Sequence, residues 1–426
     1  MRTTGSGTTV SRAARWAEAG WFGYVLAISA TGLGLPLLGA TVRPEHVGLL
    51  VLVAVAVVGR RHRVALSLGP PFWVSLGAWV AALTVSSVFV AWEPARSVYI
   101  VLLIVASLGA MAILMSLEID RARLVEVGTW AVAALAAVTV VAFFTMPIVS
   151  PSGPLVALDA GTDDVRRAVG LALEANIAGS FAALWLAVVL VHRAALPLST
   201  LVLCAPIAAM AVLTLTRAAW VSVAITAVVL LFSLLRSRRA IVIGAASVAA
   251  LGAATAVAAI LGGDNAWAVR LRGLVDLGSG TGAFRLETWA MALDDVRESG
   301  AWLVGLGANS FQQRHADLVD SKQIDYFSNA WLAQFHDGGL IGIVGIIVAL
   351  GYAWWRTSRR ILVLPFFATL ALTAGFTNQL WFAFPWVMLA LLSYRSRTEV
   401  ASTAGVDDAQ PDDGPRELAR NAREDA

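Results

Sequence analysis

The stretch YFSNAWLAQFHDGGLIGIVGIIVALGYAWWRTSRR, residues 326–360, passes from polar and aromatic residues into an uncharged run and ends in arginines. The run from about 338 to 355 is long enough to cross a bilayer as one helix. Its entrance carries Asn329, His336 and Asp337, polar groups that membrane insertion does not require. The stretch therefore predicts a transmembrane helix whose entrance is a candidate functional site.

Composition extends this interpretation to the whole chain. Its 426 residues are 58% hydrophobic and 14% charged, with a mean hydropathy of +0.76, which predicts a polytopic membrane protein. The net charge of +3 comes almost wholly from arginine, since Lys322 is the only lysine. The arginines cluster at the ends of apolar runs, which indicates the lipid bilayer, and no nucleic acid, as the partner. Cys204, the single cysteine, lies in an apolar run and is interpreted as a small buried hydrophobe.

About twelve apolar runs, bounded by charged residues, are candidates for membrane spans, so we predict an all-α fold. They are 20–41, 44–59, 70–90, 97–117, 125–146, 170–191, 197–215, 218–235, 240–261, 338–355, 361–377 and 380–394.

The basic clusters, among them RRHR at 60–63, RSRR at 236–239 and RTSRR at 356–360, fall on one side if every run crosses. That side is predicted to be cytoplasmic, with both termini inside. The connection from 262 to 327 is then a long, partly helical extracytoplasmic loop. The predicted divisions are a cytoplasmic N-terminal segment 1–19, transmembrane helices 20–261, the loop 262–327, an entry helix with the last three spans at 328–394, and a disordered cytoplasmic tail 395–426.

Several polar residues lie where the predicted spans meet the outer side. Arg217 lies where a span re-enters the membrane, and it either snorkels to lipid phosphates or binds a substrate phosphate. Glu174 and Asn176 fall one or two turns inside the sixth run. There an ionisable group indicates function or an ion pair with an arginine of another span.

The long loop carries two patterns of its own. FRLETWAMALDDVRESG, residues 284–300, predicts an amphipathic helix with Leu286, Trp289 and Leu293 on one face. Arg285 either stacks on Trp289 at a solvated face or turns inward as a cation for a diphosphate. GLGANSF, residues 305–311, predicts a tight turn. The histidines and the single cysteine show no metal-ligand spacing, so we predict no metal and no cofactor.

Four motifs occur in order along the chain: RAVGLALEAN at 167–176, TRAAW at 216–220, GLGANSF at 305–311 and SNAWLAQFHDGGLIG at 328–342. In this order and on one membrane side, they resemble the O-antigen ligase and O-antigen polymerase family of bacterial membrane glycosyltransferases. The resemblance covers roughly residues 166–352.

The resemblance implies a GT-C-like enzyme of the bacterial inner membrane that acts without a metal. Its donor would be a polyprenyl-diphosphate-linked glycan, and its acceptor a hydroxyl of a glycan or glycolipid. The implied roles are diphosphate binding for Arg217, Arg285 and Arg167, catalysis for Asp337, His336, Ser328 and Asn329, and a place in the cavity for Glu174 and Asn176.

One position departs from the family pattern, because Ser328 stands where the family has histidine. In ligases that histidine assists the acceptor hydroxyl, so its absence favours polymerisation over ligation. Asp337, His336 or His315 remain candidates for the general base. The alternatives are a multi-span transporter or lipid-linked glycan flippase, and a scaffold subunit without activity. Transporters tend toward paired halves, whereas this chain has one large late loop, so we favour the enzyme.

Overall fold

A computed structural model describes residues 12–37, 40–58, 68–116, 120–146, 155–159, 162–234, 280–315, 328–357 and 360–393. The predicted ninth span (240–261), parts of the long loop (262–279 and 316–327), most of the N-terminal segment and the predicted tail lie outside these residues.

The described part of the chain is mainly helical, and its helices are numbered here in chain order. They are α1 (Arg12–Ser29), α2 (Pro44–Val58), α3 (Pro70–Phe89), α4 (Pro94–Ser116), α5 (Arg121–Thr145), α6 (Ala175–His192), α7 (Leu198–Val202), α8 (Cys204–Leu213), α9 (Arg217–Leu234), α10 (Gly280–Ser299), α11 (Ser310–Arg314), α12 (Ala330–Arg356), α13 (Arg360–Ala374) and α14 (Ala383–Leu392).

Two short antiparallel hairpins accompany the helices. Strands β1 (Leu35–Leu37) and β2 (Ala40–Val42) follow α1, and strands β3 (Leu155–Asp159) and β4 (Thr162–Gly170) lie between α5 and α6. The second hairpin occupies the connection from α5 to α6. The fold is thus a helical membrane bundle with two small strand pairs in its connections.

Most predicted spans coincide with helices. Within the described residues, five helical segments are long and apolar enough to cross a membrane: Pro70–Phe89, Pro94–Ser116, Arg121–Thr145, Ala175–Ala195 and Ala330–Arg356. Shorter apolar helices occupy further predicted runs: Pro44–Ala54, Leu198–Leu213, Arg217–Ser233, Ile361–Ala374 and Ala383–Leu392. The total of about twelve stays a prediction, since the ninth run lies outside the described residues.

Two predicted boundaries were wrong. The first run, 20–41, is helical only to Ser29, because glycines and a proline in TGLGLP (31–36) end the helix. The sixth run begins as a helix at Ala175 rather than at 170, since Gly170 adopts a positive φ of 63° and a turn follows. Glu174 therefore precedes the helix instead of lying inside it.

Helix α6 is the central element of the bundle, with nearly every side chain from Ala175 to Val191 buried. Its small residues let neighbouring helices approach closely, as in other membrane bundles. A Cβ atom on Gly179 would lie 2.8 Å from Oγ1 of Thr214 and 2.9 Å from Cβ of Ala219. This contact fixes the start of α6 beside the turn that leads into α9.

Helix α12 is broken at Gly339, whose φ of 63° and ψ of −163° are not helical. The break lies in the glycine pair 338–339, where a residue without a Cβ atom allows this conformation. The break divides α12 into an entry segment (330–338) and a span (340–356). Nε1 of Trp79 in α3 donates a 2.7 Å hydrogen bond to Oε1 of Gln334, which anchors the entry segment to the bundle.

Candidate active site

The turn 305–309 replaces the hydrogen bonds that α12 loses at its break. The backbone N–H groups of Leu306 and Gly307 donate to the carbonyls of His336 (2.9 Å) and Asp337 (3.0 Å). In return, the N–H of Leu340 donates to the carbonyl of Trp302 at 2.7 Å. Backbone groups at a helix end need such partners when buried. The turn thus packs against the break of α12. The end of the bundle that holds this turn is the loop end.

A cluster of four ionisable side chains holds α10 at the loop end. This Asp–His cluster consists of Asp295, His315, His336 and Asp337. Oδ2 of Asp295 lies 2.9 Å from Nε2 of His315 and 3.4 Å from Nε2 of His336, and Nδ1 of His336 lies 2.9 Å from Oδ1 of Asp337. Oδ2 of Asp337 also accepts a 2.8 Å hydrogen bond from the N–H of Asn309. The cluster joins α10, the turn, α11 and α12 at one point.

The electrostatics of Asp295 favour this arrangement. Burial alone would raise the pKa of its carboxyl group, but hydrogen bonds from His336 and His315 outweigh burial and lower the pKa below its usual range. His336 has a side-chain exposure of 0% and Asp337 of 2%, whereas Asp295 retains 14%. The two most buried members are therefore closed to solvent and serve to clamp the loop.

The buried face of α10 differs from the face predicted from the sequence. The predicted helix is confirmed, but Leu286 and Leu293 are exposed, and the buried stripe is Thr288, Ala292 and Val296. The prediction chose the buried face by side-chain hydropathy. The structure instead buries smaller residues, which allow α10 to pack closely against its neighbours. Ala292 packs with Phe311 and Ala333, and Trp289 packs beside them.

Arg285 turns toward the bundle. Its guanidinium carbon lies 5.6 Å from the ring centre of Phe376, a cation–π distance. Phe376 precedes Thr377, whose hydroxyl donates a 3.1 Å hydrogen bond to Oε1 of Glu174. The start of α10 is thereby connected to the start of α6 through the connection after α13.

A second polar group, the arginine cluster, surrounds the start of α6. Nη2 of Arg167 donates to Oδ1 of Asn176 at 3.0 Å and to Oγ1 of Thr216 at 3.2 Å, and its Nε donates to the carbonyl of Thr214 at 2.8 Å. Asn176 in turn donates to Oε1 of Glu174 at 3.4 Å. Desolvation lowers the pKa of Arg167 while the charge of Glu174 opposes this effect. The contacts place Arg167 within the protein at the loop end.

Arg217 is the first residue of α9 and directly follows Thr216, a partner of Arg167. A cation at a helix N-terminus is disfavoured by the helix dipole, whereas an anion there is stabilised. Arg217 is half-buried, and among the described residues its guanidinium makes no hydrogen bond or ion pair. Its position combines two attractions for an anion, the guanidinium and the N–H groups of the first turn.

The structure assigns distinct surroundings to the other predicted residues. Asn329 caps α12, because its Oδ1 accepts a 3.1 Å hydrogen bond from the N–H of Leu332. Ser328 is half-buried immediately before it. Within the described part of the chain, no group of three or more His, Cys, Asp or Glu residues is arranged to hold a metal ion.

Sequence reasoning did not single out Asp295, Phe376 or Thr377. The polar stretch TNQ at 377–379, between two apolar runs, was a usable signal for Thr377. No local pattern marked Asp295, since its partners His315 and His336 are distant in sequence and meet only through the fold.

Comparison with known proteins supports the motif analysis. A family model described as O-antigen ligase matches residues 200–347, from α7 into the span of α12. No curated protein matches the chain.

The fold and site define a class: a polytopic membrane protein with arginines and a docked loop at one end of its bundle. Over residues 200–347 the chain is similar to the O-antigen ligase family, as the motifs indicated. This similarity indicates, in general terms, an enzyme of the glycosyltransferase type that takes part in polysaccharide biosynthesis.

Proposed function

We propose that the protein transfers a glycan from a polyprenyl-diphosphate carrier to an acceptor hydroxyl at the loop end, which faces the outside of the bacterial inner membrane. The acceptor is a second glycan or a glycolipid, so the enzyme is a polysaccharide polymerase or resembles an O-antigen ligase. The proposal extends the general activity of the family to particular residues of this chain.

The observation that carries the proposal is a series of contacts and chain neighbours that leads from Arg285 to the start of α9. Arg285 lies over Phe376, Thr377 binds Glu174, and Asn176 links Glu174 to Arg167 beside Thr216. Arg217 follows Thr216 in the chain. Arg167, Arg217 and Arg285 thus lie along one series of contacts and chain neighbours, and bidentate guanidinium contacts suit the binding of a diphosphate.

The arginines act on the leaving group of the proposed transfer reaction. The acceptor oxygen bonds to the anomeric carbon while the bond from that carbon to the diphosphate oxygen breaks. The electron pair leaves with the polyprenyl diphosphate, and the acceptor proton passes to a base. The guanidinium groups of Arg217 and Arg285 neutralise the charge that grows on the leaving group. Attack from the face opposite the diphosphate inverts the anomeric centre.

The Asp–His cluster supports this chemistry indirectly. Arg285 belongs to α10, and α10 is fastened to α12 through Asp295 and His336. The cluster therefore holds Arg285 over Phe376. We assign His336 and Asp337 to positioning of the loop, and Asn329 to capping of α12.

The test uses lipid-linked glycan extracted from cells that lack the protein, in which an unused donor accumulates. Purified wild-type protein should consume it and release polyprenyl diphosphate. Arg217→Ala and Arg285→Ala should each lower the rate by about 10²–10³, the usual effect of removing one group that stabilises a developing oxyanion.

The matched control is Arg193→Gln, which also removes one positive charge. Arg193 follows α6 at the opposite end of that helix, where its Nη1 donates to the carbonyl of Leu190. Its rate should equal that of the wild type. Wild-type rates in both Arg217→Ala and Arg285→Ala, with normal protein levels, would refute the proposed roles.

A further inference from the structure

A groove of about 790 Å³ lies between α1 and α2, and small residues form much of its walls. One face of each helix turns toward it. The groove is lined by Gly20, Gly23 and Ala27 of α1 and by Val47, Gly48 and Val51 of α2. Because Val47 and Val51 are also exposed on a predicted membrane span, this α1–α2 groove opens toward lipid. Its apolar part therefore suits a hydrocarbon chain.

The end of the groove next to the connection between α1 and α2 is polar. Arg43 lines it there, and its guanidinium lies 3.8 Å from Oε1 of Glu45 but makes no hydrogen bond among the described residues. Tyr24 also lines the groove, beside Gly48 in the first turns of α2. Only 2% of Tyr24 is exposed, and its hydroxyl has no hydrogen-bond partner in the described part of the chain. A buried polar group without a partner is costly, so it points to an acceptor that arrives with a ligand.

The polar end adjoins the segment that precedes Glu174. In the connection after α1, Oγ1 of Thr31 accepts a 3.1 Å hydrogen bond from the N–H of Leu173. The N–H of Gly32 donates to the carbonyl of Leu171 at 2.9 Å. These two hydrogen bonds attach the end of the groove to the chain directly before the start of α6.

A second contact attaches the polar end to the connection after α13. The guanidinium carbon of Arg43 lies 5.1 Å from the ring centre of Phe382, a cation–π distance. Phe382 follows Thr377, the partner of Glu174, by five residues. Both segments that meet at Glu174 therefore border the polar end, so the groove leads from the membrane to the loop end.

The polarity along the groove matches an amphiphile that has an apolar chain and a phosphate-bearing head. A membrane phospholipid carries two chains, whereas the donor of the proposed transfer has one, and its diphosphate must reach the loop end. We propose that the α1–α2 groove binds the polyprenyl chain of the donor, so that the diphosphate is delivered to the arginines of the loop end. This inference rests on the proposed glycosyltransferase function.

Close packing provides the binding free energy, since the chain leaves a lipid environment that is equally apolar. Open space beside a glycine is therefore the feature that admits a chain. A Cβ atom on Gly23 would meet no other atom within 4 Å. Gly23 lies six residues before Ser29, the last residue of α1, which is about 9 Å along the helix. A side chain at Gly23 should thus occupy the groove at a distance from its polar end.

The first test is Gly23→Leu, with the full chain in bilayer nanodiscs and polyprenyl diphosphate as the probe. Leucine fills the groove where a segment of the chain would lie. Calorimetry should show binding about tenfold weaker than that of the wild type, because dispersion contacts along this segment are lost. Inorganic diphosphate has no chain and should bind the variant as it binds the wild type.

Gly77→Leu is the matched control. Gly77 is an exposed glycine of α3 that also has open space where its Cβ would lie, and it is not part of the groove. Leucine favours a helix more than glycine does at both positions, so both variants should fold. Gly77→Leu should bind polyprenyl diphosphate with wild-type affinity.

Native mass spectrometry on the same samples distinguishes other occupants of the groove. Wild-type protein should retain polyprenyl diphosphate in place of any co-purified phospholipid. A phospholipid that polyprenyl diphosphate does not displace and that Gly23→Leu releases would assign the groove to phospholipid. A dimer that Gly23→Leu separates would assign it to a second copy of the chain. Either result would overturn the proposal.

The outcomes distinguish the groove from the proposed function. Wild-type affinity of Gly23→Leu for polyprenyl diphosphate would overturn the groove and leave the transferase intact. Equal weakening for both probes would also overturn it, because the substitution would then act on the diphosphate site and not on the chain. Failure of the wild type to bind polyprenyl diphosphate at all would overturn the proposed function and the groove with it.

Discussion

Gly305 lies directly against the peptide of Asp337, so that a Cβ atom on Gly305 would be 2.4 Å from the carbonyl carbon of Asp337. The same glycine has a φ of 76°, a conformation that other residues adopt at a cost. This contact lets the turn approach the break of α12 and donate its N–H groups there.

Gly305→Ala should therefore undock the loop and lower transfer activity at least tenfold. Gly300→Ala is the matched control, because Gly300 also has a positive φ (68°) but open space where its Cβ would lie. The free energy of unfolding of the control should fall by only roughly 1 kcal/mol, the cost of a positive φ at a residue other than glycine. Thermal unfolding in detergent measures both variants. Equal destabilisation would show that the close approach to Asp337 does not matter.

Acid should loosen α10 in a defined pH range. The pKa of Asp295 is lower in the folded protein than its unfolded value of about 3.9. Its contribution to stability is therefore complete above that value and is lost as the pH falls through the folded pKa. The groups around it are His315, His336 and Arg314.

We expect amide hydrogen exchange in α10 to stay slow from pH 7 to 5, after correction for intrinsic rates, and to rise below about pH 4. Asp295→Asn should show fast exchange in α10 already at pH 7, without the acid step. Slow exchange in that variant at neutral pH would mean that the carboxylate does not hold the helix.

The stacking of Arg285 on Phe376 should raise the rate of glycan transfer by a small factor. Phe376→Leu removes the cation–π contact, about 0.5–1 kcal/mol, and should slow transfer about two- to fivefold. In the Arg285→Ala background the same change should have almost no further effect, because the two side chains act together. A double-mutant cycle on turnover measures this, and independent effects that simply multiply would contradict it.

Much of the fold could be predicted because bilayer thickness sets the length of apolar runs, and charged ends mark them. Runs such as 70–90 and 125–146 match α3 and α5 within a few residues. The hairpin was missed because β3 (LVALD) has only five residues and β4 (TDDVRRAVG) mixes charged and apolar residues, so nothing in their local pattern distinguishes them from a loop.

The candidate site was predictable where a motif forces a backbone conformation. The turn at 305–311 and the bend at Gly339 follow from glycines that permit positive φ. The partners across the fold were not predictable from one sequence. The meeting of Asp295 with His336, and of Thr377 with Glu174, depends on how distant helices pack. The sequence pointed to Glu174, but only as a cavity residue.

Binding of polyprenyl diphosphate, the proposed leaving group, tests the central claim most directly. Calorimetry on purified protein should show that Arg217→Ala and Arg285→Ala each weaken this binding about 10–100-fold, as expected for loss of a charge-assisted hydrogen bond, while Arg193→Gln binds as the wild type does. Unchanged affinity in both Arg217→Ala and Arg285→Ala would contradict a shared diphosphate site at the loop end.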